Sequence, residues 1–265
     1  MGVDDVAFLV RAPNRAAVLT ALVDAPCDRA GLRDRIGASR VTIGRITTDL
    51  EARGWVEREG TRYRATRAGQ TVARAYQRFR DVVDTTRHLE DLFEYLPVRA
   101  FDFEVSVLHD AEVVAPTPTS PNQHISRLAA LFEAATTVSM VVHAVSPEIV
   151  ASSHEAARAE AHVTRGVVTP EVTDAIRAND TVRAQVVEMV QTGGLELFER
   201  PSVPFQVGVY DETAIISADD EQGVPRGIVV TESPAVREWV LDEYERLRAE
   251  ATPLDVGAFD PDAGT

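Results

Sequence analysis

Along residues 40–53 the apolar positions Ile43, Ile46 and Leu50 fall at i, i+3 and i+7, one helical stripe facing a core. Ser39 stands before that stripe as an N-cap and Gly54 after it as a stop. Upstream, Asn14 caps a helix over residues 15–23 whose inner side is Ala17, Val18, Ala21 and Leu22, and Pro26 breaks it. Asp28 caps a short helix through Ile36, and Gly37-Ala38-Ser39 makes the turn into the helix that follows. After Gly54 the helical period is lost. Residues 55–58 and 61–64 are short β-favouring runs around Glu59-Gly60, a hairpin signal. Helices joined by a tight turn and followed by a hairpin predict a winged helix-turn-helix over residues 1–68.

Helical spacing returns with Val72, Tyr76, Phe79 and Val83, then Leu89, Phe93 and Leu96, until Pro97 stops it. A helix from Gly69 to Tyr95 reaches roughly 40 Å, so residues 69–97 read as a linker and dimerisation helix. Packing of this helix onto its own chain is the alternative. From 98 to 254 strand and helix signals alternate. Val138–Val145 and Ala161–Val168 are nearly continuous apolar runs, the mark of buried strands. The runs at 195–198, 205–210, 214–217 and 227–230 follow one another closely enough to be partly antiparallel. Ser233-Pro234 opens a last helix, and residues 255–265 read as a disordered tail. The fold class is α+β or α/β: a winged helix, a long connecting helix and an α/β sheet domain.

Charge changes the picture. All 27 basic residues among the 265 are arginine, and 42 carboxylates leave a net charge of -15. An acidic, lysine-free surface is a halophile's device, although a GC-rich genome also favours Arg over Lys. Yet residues 1–80 hold 15 arginines against nine acids, whereas residues 81–265 hold 12 against 33. That asymmetry points to nucleic acid as a partner of the first segment. No apolar run approaches the roughly 20 residues that cross a bilayer, and the N-terminus carries acids instead of a basic leader. The expected location is cytoplasmic, with no membrane partner.

With Ile43, Ile46 and Leu50 turned inward, the third helix presents Arg40, Thr42 and Arg45 on its other side. Arginine grips guanine through two hydrogen bonds, and threonine can touch a thymine methyl. Arg58, Arg62 and Arg64 of the hairpin then meet phosphates or the minor groove. The candidate DNA-binding residues are Ser39, Arg40, Thr42, Arg45, Arg58, Arg62 and Arg64, and the expected partner is an operator in double-stranded DNA. Against this stands a plainer reading, in which these arginines pair with Asp34, Asp49, Glu51, Glu57 and Glu59 as a solvated face. A winged helix used only on another protein, as an adaptor, is the competing function.

Several stretches resemble a known family: DRAGLRDRIGASRVTIGRITTDLEARGWVERE, DAEVVAPTPTSP, AVSPEIV, VPFQVGVYDE and TESPAVREWVLDEYERLRAEATPL. They are similar to two-domain archaeal transcriptional regulators of the kind represented by the filament regulator of methanogens. The resemblance implies transcription control with a sensed signal, and it brings no established ligand residue. Val41 and Gly44 depart from the polar or basic residues common at recognition-helix positions. Domains of related regulators resemble phospholipase D half-folds, whose chemistry needs a His followed two positions later by Lys. His143-Ala144-Val145 lacks that lysine.

No phosphate loop, nucleophile elbow or HExxH is present, so no catalysis, cofactor or metal is expected. Lone Cys27 reads as packed and inert, with intermolecular redox switching as the alternative. A small-molecule effector is expected at the carboxyl ends of the central strands, which puts His143, Ser146, Arg165 and Thr169 forward as ligand residues.

Overall fold

In the computed structural model residues 2–159 and 162–261 are described, and the chain forms two compact units divided between Val83 and Asp84. The first contains α1 (Gly2–Val10), α2 (Pro13–Asp24), β1 (Cys27–Asp28), α3 (Arg29–Ile36), α4 (Arg40–Ala52), β2 (Val56–Glu59) and β3 (Arg62–Ala65). α5 (Arg67–His88) begins in it and runs across the boundary. Two of the expected caps form. Asp28 accepts from the Gly31 N–H at 2.8 Å and Ser39 from the Thr42 N–H at 3.1 Å. Gly37, at φ 72°, ends α3 in a left-handed turn that only glycine adopts without cost. α2 differs from expectation: it starts at Pro13 with no side-chain cap, because proline at the first turn already supplies the helical φ. α1 carries no cap or stop signal that announces it.

Val18, Leu19 and Leu22 of α2, Leu32 of α3, Ile43, Ile46 and Leu50 of α4 and Tyr63 of β3 make one core. β1 pairs with β3 through Cys27 and Tyr63, adding a third strand to the expected hairpin. The wing is tied to α5 at one tight point. Thr66 Oγ1 donates to the Gly54 carbonyl (2.7 Å) and accepts from the Gly69 N–H (3.1 Å). A Cβ on Gly69 would lie 1.9 Å from the Trp55 carbonyl oxygen, so no other residue fits there.

The second unit is built on an eight-stranded sheet. Its strands are β4 (Glu112–Val114), β5 (Thr137–Val141), β6 (Val163–Val168), β7 (Leu195–Glu199), β8 (Val207–Tyr210), β9 (Thr213–Asp219), β10 (Pro225–Thr231) and β11 (Thr252–Leu254). They lie in the order β11-β7-β6-β5-β8-β9-β10-β4. β5, β6 and β7 are parallel, linked through α7 (Pro147–Ala159), α8 (Pro170–Ala178) and α9 (Asp180–Thr192). The later strands form antiparallel neighbours. Side chains alternate between faces along each strand. Val141, Val167, Val209 and Ile216 face α10 (Pro234–Arg248), with Trp239, Val240 and Tyr244. The opposite face meets α6 (Gln123–Ala134) and the α7–α9 layer.

Three expectations are corrected. The long helix stops at His88, not Tyr95, because Leu89, Leu92 and Leu96 leave the helical path to fill the core of the second unit. β5 ends at Val141; the apolar residues after it enter a loop. The tail is ordered through Phe259, which is buried in a short 3-10 turn beside α8 and α9, and only residues 262–265 fall outside the described residues. No single helix is long and apolar enough to cross a membrane among the described residues. α1 and α2 pass only as a pair bent by 96°.

Asp211, at φ 50°, turns the chain between β8 and β9 and accepts four hydrogen bonds from the backbone N–H and hydroxyl groups of Thr136 and Thr137, at 2.8–3.0 Å. Burial pushes its carboxyl up, but those four donors outweigh it and hold the folded pKa below the usual 3.8. The stabilisation is therefore complete above pH 3.8 and lost as pH falls through the folded pKa. Asp211→Asn should cost roughly 1–3 kcal/mol at neutral pH. The difference from wild type should shrink on acidification in denaturant titrations; a pH-independent gap would contradict it.

Candidate nucleic-acid interface and the cavity of the sheet domain

Burial of one side of α4 decides what the other side shows. Ile43 and Leu50 are fully buried, whereas Val41 is 82% exposed, and Arg40 and Arg45 project beside it. Among the described residues neither arginine has an ion-pair partner. Of the five acids that could neutralise this face, Asp34 pairs with Arg33, and Glu57 and Glu59 both pair with Arg64; Asp49 and Glu51 of α4 form no ion pair with Arg40 or Arg45. Ser39 Oγ lies 2.9 Å from Thr42 Oγ1 besides capping the helix, so both hydroxyls hold the N-terminus of α4 in place.

The wing arginines divide. Arg58 Nε donates to the Gly60 carbonyl at 2.7 Å and its guanidinium lies over the Tyr63 ring, 5.8 Å from the centroid. Arg62 donates to the Pro26 carbonyl at 2.6 Å. Both are exposed and remain unneutralised. Arg64 does not belong with them. Its Nε is 2.9 Å from Glu57 and its Nη2 is 3.0 Å from Glu59, so its charge is cancelled by acids on the wing itself. Arg29, which sequence reasoning passed over, joins the group. It opens α3, is exposed, and its guanidinium lies over the Tyr63 ring, 5.5 Å from the centroid, and beside Gly44 of α4. Nothing local in the sequence marks it, because it reaches α4 and β3 only through the fold.

Of the expected ligand residues, the structure brings one to a cavity. A space of about 490 Å³ opens between the sheet and the α6–α9 layer, and Ser146 lines it with Ala144 and Val145 just beyond the end of β5. His143 lies at the edge: its Nε2 is 3.2 Å from the Gly223 carbonyl oxygen and 3.8 Å from Asp219. Its backbone N–H donates to Gln206 Oε1, and Gln206 does line the cavity. Thr169 is buried at the start of α8 outside the lining. Arg165 is corrected outright. It shares strand parity with Val167 on the α10 face and pairs with Glu196 at 3.5 Å, so it points away from the cavity lined by Thr164 and Val168. His124, missed by the sequence reading, is 8% exposed, lines the cavity, and its Nδ1 has no hydrogen-bond partner. Among the described residues no group of three or more His, Cys, Asp or Glu is placed to hold a metal ion.

Comparison with known proteins divides the chain where the structure does. Residues 3–88 match the family model described as the HVO_A0261 N-terminal domain, and residues 121–250 match the middle domain of the methanogenesis regulatory protein FilR1. No curated protein matches the sequence. Among solved structures, the archaeal chromatin protein TrmBL2 is 13% identical, with 89% of this chain and 92% of that one covered, at a TM-score of 0.45. Nuc, a phospholipase D family member from Salmonella typhimurium, is 12% identical over 55% of this chain and 99% of its own, at a TM-score of 0.43. A putative IclR transcriptional regulator from Silicibacter is 17% identical over 89% and 95%, at a TM-score of 0.23. These structural likenesses are too loose to carry residue roles. On the two family models, which follow one another in this order with residues 89–120 between them, the chain belongs to the archaeal helix-turn-helix transcriptional regulators that join an HVO_A0261 N-terminal domain to a FilR1 middle domain.

Proposed function

We propose that this protein is a homodimeric, cytoplasmic, sequence-specific regulator that reads DNA with α4 and responds to a small molecule in its sheet domain. The observation that carries the DNA reading is the pair Arg40 and Arg45, exposed and without a carboxylate partner in a chain with 42 carboxylates. In so acidic a protein, guanidinium groups left unpaired on one helix face are reserved for an outside anion. Arg40, Arg45 and Thr42 meet base edges in the major groove, held in register by the Ser39 cap. Arg29, Arg58 and Arg62 take phosphates.

The acid surplus supports a saline cytoplasm as its setting. Near 1 M salt the Debye length is about 3 Å, so recognition there rests on short bidentate contacts, which arginine supplies better than lysine. Dimerisation is supported by apolar groups that the first unit leaves uncovered. On α5, Ala73 is buried with Val72 and Tyr76 packed beside it, but Phe79, next in the same stripe, is 60% exposed. Val3, Val6 and Val10 of α1 are 83%, 62% and 51% exposed. Two copies also suit a palindromic operator read by helices one DNA turn apart. No catalytic step is assigned. His143 faces a carbonyl and a carboxylate, and no lysine follows it at the spacing that phosphodiester cleavage of that type uses.

Duplex DNA selected from a randomised pool by the wild-type protein provides the test. Arg40→Ala and Arg45→Ala should each weaken binding by about 1–3 kcal/mol and relax sequence preference. Arg58→Ala or Arg62→Ala should weaken all sequences alike and lower the salt slope by about 1, while Arg64→Ala should weaken binding by uncovering Glu57 and Glu59, an effect that the additional changes Glu57→Gln and Glu59→Gln should reverse. Unaltered affinity in the Arg40/Arg45 double variant, or capture of a stable protein partner with no DNA footprint, would favour the adaptor reading instead.

Phe79→Arg should convert the dimer to a monomer in light scattering without loss of helical signal, since the side chain is 60% exposed and lies outside the core of its own unit. Operator affinity should fall about tenfold or more as the second half-site contact becomes bimolecular. A wild-type monomer, or an unchanged dimer in the variant, would remove dimerisation through α5.

A further inference from the structure

The sheet face under α6–α9 does not close into one core. Its buried residues split into two groups, one around Phe132, Tyr210 and Ile228, the other around Val172, Val186 and Leu197. The cavity of about 490 Å³ lies between them, and both groups contribute to its wall. Gly208 of β8 lies in its floor beside Met140, where a side chain would have taken up part of the space. Asn122, Ala144 and Val224, all exposed, mark the mouth. Val224 is a large apolar residue 51% exposed at that rim, at the carboxyl end of the central strands, where open α/β sheets take their ligands. The volume is that of a pocket for a drug-sized molecule.

The chemistry of the wall is one-sided. Among the described residues no Asp, Glu, Arg or Lys lines it, and most contacts are aliphatic or aromatic. A phosphorylated or carboxylated ligand would leave water with no cation to meet. A free sugar would bury a ring of hydroxyls against Leu128, Ile149, Val150 and Val186. The polar groups are spread over several elements, from His124 of α6 to Ser217 of β9. Gln206 and Ser217 line the cavity, but their side chains are already engaged with Asp219: Ser217 Oγ donates at 2.6 Å and Gln206 Nε2 at 3.3 Å. His124 is different. Buried to more than nine-tenths, it keeps Nδ1 free of any partner, and burial lowers its pKa, favouring the neutral ring. A buried nitrogen without a hydrogen bond is costly to keep, and a ligand hydroxyl that reaches it removes that cost. A hydroxyl both donates and accepts, so it satisfies either tautomer.

We infer that this cavity binds an uncharged, largely apolar molecule carrying a hydroxyl head that hydrogen-bonds His124 Nδ1 once the ring, which now keeps that atom closed to water, turns toward the cavity. This rests on, and makes specific, the sensing role proposed above for the sheet domain. The mouth beside Ala144 and Ser146 admits the ligand, and the space between the two core groups holds its apolar body.

The experiment uses the full-length chain with three probes: decan-1-ol, decanoate and glucose. Decan-1-ol should raise the melting temperature by several degrees at saturation, decanoate by clearly less, and glucose not at all. His124→Leu should weaken decan-1-ol at least tenfold in calorimetry. Leu128→Trp, which fills the cavity, should abolish binding while keeping the native circular dichroism; Ile149→Phe serves the same purpose should Leu128→Trp not fold. Absence of a decan-1-ol shift, an equal response to decanoate or glucose, or undiminished binding in the filled variants would overturn the assignment. DNA affinity measured with and without decan-1-ol separates the two readings. Cavity binding without any change in DNA affinity leaves the site standing and removes its sensing role. No cavity binding removes the site, while a DNA response to another molecule remains open to measurement.

Discussion

Three side chains, Ile43, Ile46 and Leu50, decide which way α4 is turned, and most of what the first unit can do follows from that rotation. Each is at most 3% exposed, packed with Leu32 and Tyr63 in one core. Burying such a side chain is worth about 1.5–3 kcal/mol, so no alternative rotation of the helix competes. At about 100° per residue, fixing the inner stripe also fixes Arg40, Val41 and Arg45 on the outside. The caps at Ser39 and Asp28 are the same constraint expressed at the helix ends, since they set where each helix starts relative to the core. The unpaired guanidinium groups are a consequence of packing as much as of charge.

What could be read from the sequence follows from how local each determinant is. Asp28, Gly37 and Ser39 act within three residues of themselves, and the structure has them where the sequence reading has them. β1 is two residues long and exists only because Cys27 meets Tyr63, a pairing with no signature along the chain. Leu89, Phe93 and Leu96 keep a helical spacing and so extend the sequence reading of α5. Their partners, Val229 and Trp239 among others, lie far along the chain and draw them out of the helix. Phe259 is missed for the same reason: its tail composition is polar and small, and one aromatic ring buried beside α8 orders it.

The site residues obey the same rule at finer grain. The exposure of Arg40 and Arg45 is legible because helix phase alone sets it. The pairing of Arg64 is not, because alternation along β3 turns it outward just as it turns Arg62, and only the cross-strand register brings Glu57 opposite it. Arg165 failed by parity: one step along β6 from Thr164 or Gly166 is enough to send a side chain to the α10 face. His124 could not be found at all, since a histidine near a helix start carries no mark of whether its ring nitrogen will find a partner.

The two units use charge in opposite ways, and this bears on what each can bind. An anionic polymer approaches a molecule with a net charge of -15 against repulsion, and only guanidinium groups without an ion-pair partner, as Arg40 and Arg45, offer it a foothold. A small anionic effector would meet the same repulsion at the acidic second half of the chain and then a cavity wall with no cation to receive it. An uncharged ligand feels neither. Its transfer from water into the cavity gains from apolar contact, and added salt, which screens the DNA contacts, leaves that gain intact or strengthens it by making the exposed apolar surface costlier. Occupancy of the cavity and grip on DNA would then depend on ionic strength in opposite directions, the one held or raised, the other lowered.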